Sequence, residues 1–256
     1  MSEGAGIGMT DELRTSVEID PAVSAVEVKI TARIEDEDRV LALLAKANEE
    51  PESRTVYFFD TSALALFDAG LVLRARKKAR DDDDSTVKLR PVDPATIDNS
   101  WLEIEDFAIE MDRVGDKEVI SAKLGSIQDQ GEIDDAVAGG RPLRKLFTPD
   151  QERLIQEFGP ADVGWDDLVA MGPIAVSKWA AEWDEFGHEV VVERWLLPDK
   201  SDLVELSIKV EPGQATTASE EFLAFLESLG LEVDGDMQTK TRGALTFFTT
   251  GEGFDD

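Results

Sequence analysis

The sequence predicts an α+β protein in which about eight β-strands close into an antiparallel barrel with a polar lumen and helices packed outside. Three observations lead there. Strand-length segments repeatedly set a charged face against an apolar one, as period-two alternation demands. At least two segments carry amphipathic helix spacing and need an apolar surface to lie on. If those helices cover the apolar strand faces, the charged faces turn inward, and closing the sheet removes its exposed edges.

Composition narrows the field. The 256 residues suffice for one large or two smaller domains, and 26 Lys and Arg stand against 56 Asp and Glu, a net charge of -30. Such a surface repels DNA, RNA and anionic lipid, yet leaves room for a local cationic pocket that takes a small polyanion. There is no Cys, and the single His188, in the run EFGHE, is expected at the surface, so thiolate chemistry and Cys or His metal sites are excluded. No apolar run reaches the roughly 18 residues of a membrane span. The start, MSEGAGIGMTDELR, lacks a basic region followed by an apolar one, so a cytoplasmic protein is expected.

Taken in order, residues 1–22 are Gly-rich and acidic, a loose lead-in, and 23–249 read as one domain before an acidic tail over 250–256. Ala25 to Arg33 form a strand, with Glu27 and Lys29 opposite Val26, Val28 and Ile30. Asp36 caps a helix to about Asn48 with an apolar stripe of Val40, Leu41, Leu44 and Ala47. The segment Tyr57 to Pro91 holds a hairpin in which Arg74 and Arg76 on one strand neighbour Lys88 and Arg90 on the next. Four bases on one face of so acidic a chain call for an anion opposite them.

Trp101 to Phe107 read as a strand with Glu103 and Glu105 on one face, and 108–124 as a hairpin of mixed faces. Thr148, Pro149 and Gln151 form a cap, a first-turn proline and a capping-box partner, with Gly159 ending that helix. Strands at 173–183, containing Lys178, and 188–197, containing Glu193, lead through a turn at Pro198 to Ser201 into Leu203 to Val210, where Glu205, Ser207 and Lys209 share a face. A helix from Ser219 to Leu229 stops at Gly230, and Lys240 and Arg242 fall two apart in the last ordered stretch. The tryptophans read as packing or rim residues.

The strand start Glu27-x-Lys29, YFFDT at 57–61, LRAR at 73–76, TVKLR at 86–90, the Glu103-x-Glu105 pair, Glu205 and TKTR at 239–242 together resemble the CYTH superfamily of triphosphate tunnel enzymes, which includes class IV adenylate cyclases and thiamine and inorganic triphosphatases. The resemblance spans residues 25–248. It implies an eight-stranded tunnel whose bases grip a triphosphate, a nucleotide or polyphosphate, and whose acids hold Mg²⁺ or Mn²⁺, with hydrolysis of the terminal phosphate as the activity. Capture of the polyanion without turnover is the alternative, and a cyclase would need a base-recognition site that the sequence does not identify.

By position, the resemblance implies Lys29, Arg74, Arg76, Lys88, Arg90, Lys178, Lys240 and Arg242 as triphosphate contacts. Glu27, Glu193 and Glu205 become metal ligands, and Lys29 and Glu27 catalytic residues. Glu103 and Glu105 become lumen acids that either join the metal set or pair with tunnel bases. Two positions depart from the pattern: Ala25 and Ser207 stand where the family carries carboxylates. Asp60 and Asp202 are the candidates to replace them.

Overall fold

The computed structural model describes residues 19–32, 37–46, 50–115, 117–197, 202–231 and 240–250. Most of the expected lead-in and acidic tail, the Asp36 cap, the 198–201 turn and the side chain of Lys240 lie outside the described residues.

Nine strands close into a barrel: β1 (Val23–Thr31), β2 (Glu52–Asp60), β3 (Leu71–Lys78), β4 (Asp83–Leu89), β5 (Phe107–Val114), β6 (Lys117–Gln128), β7 (Val169–Glu182), β8 (Glu189–Leu196) and β9 (Asp202–Val210). Around the ring they run β1-β5-β6-β4-β3-β2-β7-β8-β9 and back to β1. Among the described residues the α-helices are α1 (Glu37–Lys46), α2 (Ala65–Asp68), α3 (Asn99–Leu102), α4 (Glu132–Val137), α5 (Pro149–Phe158), α6 (Ala215–Ser228) and α7 (Lys240–Thr250).

The expected eight-stranded antiparallel barrel is therefore corrected to a mixed barrel of nine. A ring in which every neighbour reverses direction needs an even number of strands. The ninth strand forces a parallel pair, and β1 and β5 supply it, while the other pairs are antiparallel.

The apolar faces point outward and are buried under helices and loops, as Val26, Val28 and Ile30 on β1 and Leu71, Leu73 and Ala75 on β3 show. Helix α5 is fixed to this wall by one side chain. Gln151 is fully buried and donates through Nε2 to the carbonyls of Ser85 (3.3 Å) and Leu124 (3.0 Å). Its Oε1 accepts from the Thr148 amide at 2.9 Å, completing the expected capping box.

Two sequence expectations fail locally. Residues 101–106 are not a strand. The Asp98 side chain accepts from the Ser100 amide at 2.9 Å and starts α3, which buries Trp101 completely, and Asp106 takes a positive φ of 64° before β5 begins at Phe107. Helix α6 starts at Ala215, so Ser219 lies buried within it rather than capping it. The stretch carrying Lys240 and Arg242, whose secondary structure the sequence left open, is helix α7.

That last helix also corrects the expected polar lumen. Pairing of Val56 with Arg76 and Phe58 with Arg74 puts both apolar residues on the inward face. There they cluster with Ile174, Val176 and Trp195, and Ala244 and Leu245 of α7 pack onto them. One side of the interior is thus apolar and carries a helix, and the β1, β4 and β5 side is charged.

Replacing Gln151 with Ala removes three hydrogen bonds to the wall and one to the Thr148 amide, and leaves buried carbonyls without a donor. Urea unfolding of Gln151→Ala is expected to show a loss of about 2 kcal/mol, and a value within a few tenths of wild type would contradict this anchoring role.

Candidate functional site

The charged side of the lumen is organised by a residue that sequence reasoning passed over. Asp112, on β5, has a side chain only 2% exposed and meets three bases: Lys29 of β1 at 3.3 Å, Lys88 of β4 at 3.1 Å and Arg90 just past β4 at 3.3 Å. Burial alone would raise its pKa, but the three cations outweigh burial and hold the carboxyl well below the usual range.

Arg90 reaches this point because the chain beside it turns tightly. Gly70, at φ +85°, accepts the Arg90 amide at 2.7 Å, and a Cβ there would stand 2.9 Å from the Arg90 carbonyl. Lys29 lies between acids, with Glu27 at 3.0 Å. Burial opposes its charge, but Glu27, Glu205 and Asp112 raise its pKa above the ordinary lysine value. Lys88 shifts the other way: burial lowers it, and Asp112 only partly offsets that.

These groups border a cavity of about 580 Å³ whose wall includes Lys29, Lys88, Arg90, Asp112 and Glu205, with Phe67, Thr241 and Arg242 around its mouth. The Arg242 guanidinium lies 5.3 Å from the Phe67 ring centroid. Four of the expected triphosphate contacts, Lys29, Lys88, Arg90 and Arg242, therefore line one space.

Arg74 and Arg76 face inward too but belong to a second cluster. Arg76 forks onto Asp84 at 3.0 and 2.9 Å, and Lys78 meets the same carboxylate at 2.9 Å. Arg74 has a buried Nε with no hydrogen-bond partner, and burial, reinforced by Arg76, pushes its pKa down to about 10. In the ladder Lys178 stands between Glu52 of β2 and Glu193 of β8, and Glu193 accepts from the Trp195 indole at 3.1 Å.

The acidic set differs from expectation. Glu103 and Glu105 are exposed on the outside, because the strand that was to carry them begins at Phe107. The inward acids of that strand are Glu110 and Asp112, and Glu110 is held by Lys123 at 2.8 Å and Lys209 at 2.7 Å. A signal existed: Ala108, Glu110 and Asp112 alternate with Ile109 and Met111. Asp60 accepts from the amides of Thr61, Leu66 and Phe67, which ties it to α2. Asp202 lies on the outward face of β9, paired with Arg194.

Both aspartates are therefore committed to partners away from Ala25 and Ser207. Among the described residues no three Asp, Glu, His or Cys side chains converge to hold a metal ion, so the donor set does not fit a divalent ion bound by the protein alone. His188 is half-buried against Phe186, with centroids 5.1 Å apart.

No protein-family model matches the chain, and no curated protein matches it in sequence. Solved structures do match in shape. A candidate adenylyl cyclase from Hippeastrum, described as having a dominant triphosphatase activity, is similar at a TM-score of 0.63 and 17% identity, covering 91% of this chain and 98% of that one. A candidate adenylate cyclase from Bacillus halodurans is similar at a TM-score of 0.59 and 12% identity, covering 86% and 96%. At these identities the likeness shows a shared tunnel-type fold.

Asp112→Asn leaves three buried cations facing a neutral amide, so a stability loss of about 3 to 5 kcal/mol is expected at pH 7. Because the folded carboxyl is shifted down, its contribution is present above the ordinary aspartate value of about 4 and fades as pH falls below it. Chemical denaturation from pH 7 to 3 should show the gap between wild type and variant narrowing only below about pH 4. A gap that is constant with pH would contradict the ionised hub.

Proposed function

We propose that this chain binds the triphosphate group of a small molecule in the cavity between β1, β4, β5 and α7. One observation carries the reading: Lys29 from β1 and Lys88 and Arg90 from the end of β4 converge within 3.1 to 3.3 Å of a single carboxylate at the cavity wall. Asp112 shows that the three cationic ends reach one compact anion. A triphosphate entering the cavity offers these bases further oxygens, and Arg242 stands at the mouth to meet the outer end of the ligand. An Arg fork and two ammoniums recognise oxygens wherever they fall, which suits a ligand class rather than one base or sugar.

Charge-assisted bonds contribute about 1.5 to 3 kcal/mol each, and several are needed to offset the desolvation of a highly charged ligand. The chain's charge of -30 opposes the approach of any anion. Affinity then rests on these short-range contacts, and losing one of them should be costly.

A second reading, hydrolysis of the terminal phosphate, is favoured by the triphosphatase activity described for the Hippeastrum protein. Under that reading Mg²⁺ or Mn²⁺ reaches the tunnel already complexed by the triphosphate, since such ions are commonly bound through substrate phosphates. This reading assigns Glu27, Glu193 and Glu205 to such a complex, Glu205 lining the cavity itself, with Lys29 as the base that would contact the ligand.

Calorimetric titration with tripolyphosphate tests the binding reading. Arg90→Ala and Lys88→Ala should each weaken binding about 10- to 100-fold, whereas Arg80→Ala, at an exposed position remote from the cavity, should not. Equal affinity for all four proteins would overturn the assignment. Phosphate release from tripolyphosphate, thiamine triphosphate and ATP with Mg²⁺, Mn²⁺ or chelator tests the second reading. Release that survives chelator, or that Lys29→Ala retains, would contradict it.

A further inference from the structure

We infer that the ammonium of Lys29 is the resident cation of the tunnel's carboxylates, standing where a divalent ion would otherwise be held, so that triphosphate is captured without a protein-bound metal. This deepens the triphosphate reading and rests on it for its purpose, but not for its test.

The geometry is that of an ammonium held between two carboxylates, with a third on the wall of the same cavity. Lys29 Nζ lies 3.0 Å from Glu27 and 3.3 Å from Asp112, and Glu205 borders the same cavity. All three acids act on its charge. An ammonium keeps its oxygens near 3 Å, whereas Mg²⁺ must draw them to about 2.0 to 2.1 Å in near-octahedral order. The contacts of 3.0 and 3.3 Å here are those of an ammonium.

The neighbouring positions explain why no ion competes. Ser207 stands directly across the ladder from Lys29, and Ala25 lies on the inward face two residues before Glu27. Carboxylates at both places would add two charges to this group and favour a doubly charged guest. With Ala and Ser there, Glu27, Asp112 and Glu205 are balanced by Lys29, Lys88 and Arg90. A divalent ion added to that buried, balanced group would leave excess positive charge in poor contact with water.

Mn²⁺ titrated into the protein without any phosphate, followed by the paramagnetic resonance signal of free Mn²⁺, tests this directly. The wild-type chain should leave the signal at its buffer level, and so should Lys29→Arg, which keeps the charge. Lys29→Met, confirmed as folded by circular dichroism, uncovers the carboxylates and should withdraw Mn²⁺ from solution. Uptake by the wild-type protein would overturn the inference, and so would a folded Lys29→Met that takes up none.

Should Lys29→Met not fold, tripolyphosphate titrations of the wild-type protein decide. Affinity in chelator at least equal to that in Mg²⁺ supports a built-in cation, and binding that appears only with Mg²⁺ overturns it. Absence of tripolyphosphate binding in both buffers sinks the triphosphate reading itself, while the Mn²⁺ result on the wild-type protein still decides this one.

Discussion

A barrel that turns its charges inward must set opposite charges against one another, and on the β1, β4 and β5 side Asp112 meets that constraint. A side chain with 2% exposure holds three bases from β1 and the end of β4. Without it, Lys29, Lys88 and Arg90 would face one another as like charges at the cavity wall. The outward faces, which α5 and its neighbours cover, could not then be brought together around so charged an interior. On the proposed reading the hub makes stability and recognition depend on the same contacts, because the bases that neutralise the protein carboxylate are the ones offered to an entering anion.

The second constraint is the apolar half of the lumen. Val56, Phe58, Ile174, Val176 and Trp195 face inward and are covered by Ala244 and Leu245 of α7. Hydrophobic burial at that place holds the last helix on the tunnel, and its first turn then carries Thr241 and Arg242 to the cavity mouth. An apolar wall beside a charged one also lowers the local dielectric response, which strengthens each ionic contact the ligand makes.

The sequence revealed much of this and hid some of it for identifiable reasons. Alternation around Lys29, Arg74, Arg76, Lys88 and Arg90 survives in the structure, because strand faces follow from period two whatever the pairing. The capping box at Thr148 and Gln151 is likewise local and was legible. Strand count and direction were not, since the parallel pairing of β1 with β5 is a long-range fact that no local pattern encodes. Glu103 and Glu105 misled because their spacing mimics a strand, whereas the Asp98 cap and the buried Trp101 make a helix there. Asp112 was missed for the same reason, since its strand was read as mixed. Lys240 and Arg242, also two apart, belong to a helix whose inward packing depends on Val56 and Phe58 far away in the chain.

On the proposed reading a triphosphate group occupies the space where Lys29, Lys88 and Arg90 converge. Deuterium exchange with and without saturating tripolyphosphate locates the ligand without altering any residue. Slower exchange is expected in the segments around Lys29, Lys88 to Arg90 and Asp112, and in the first turn of α7. Unchanged exchange there, or protection confined to another part of the surface, would contradict it.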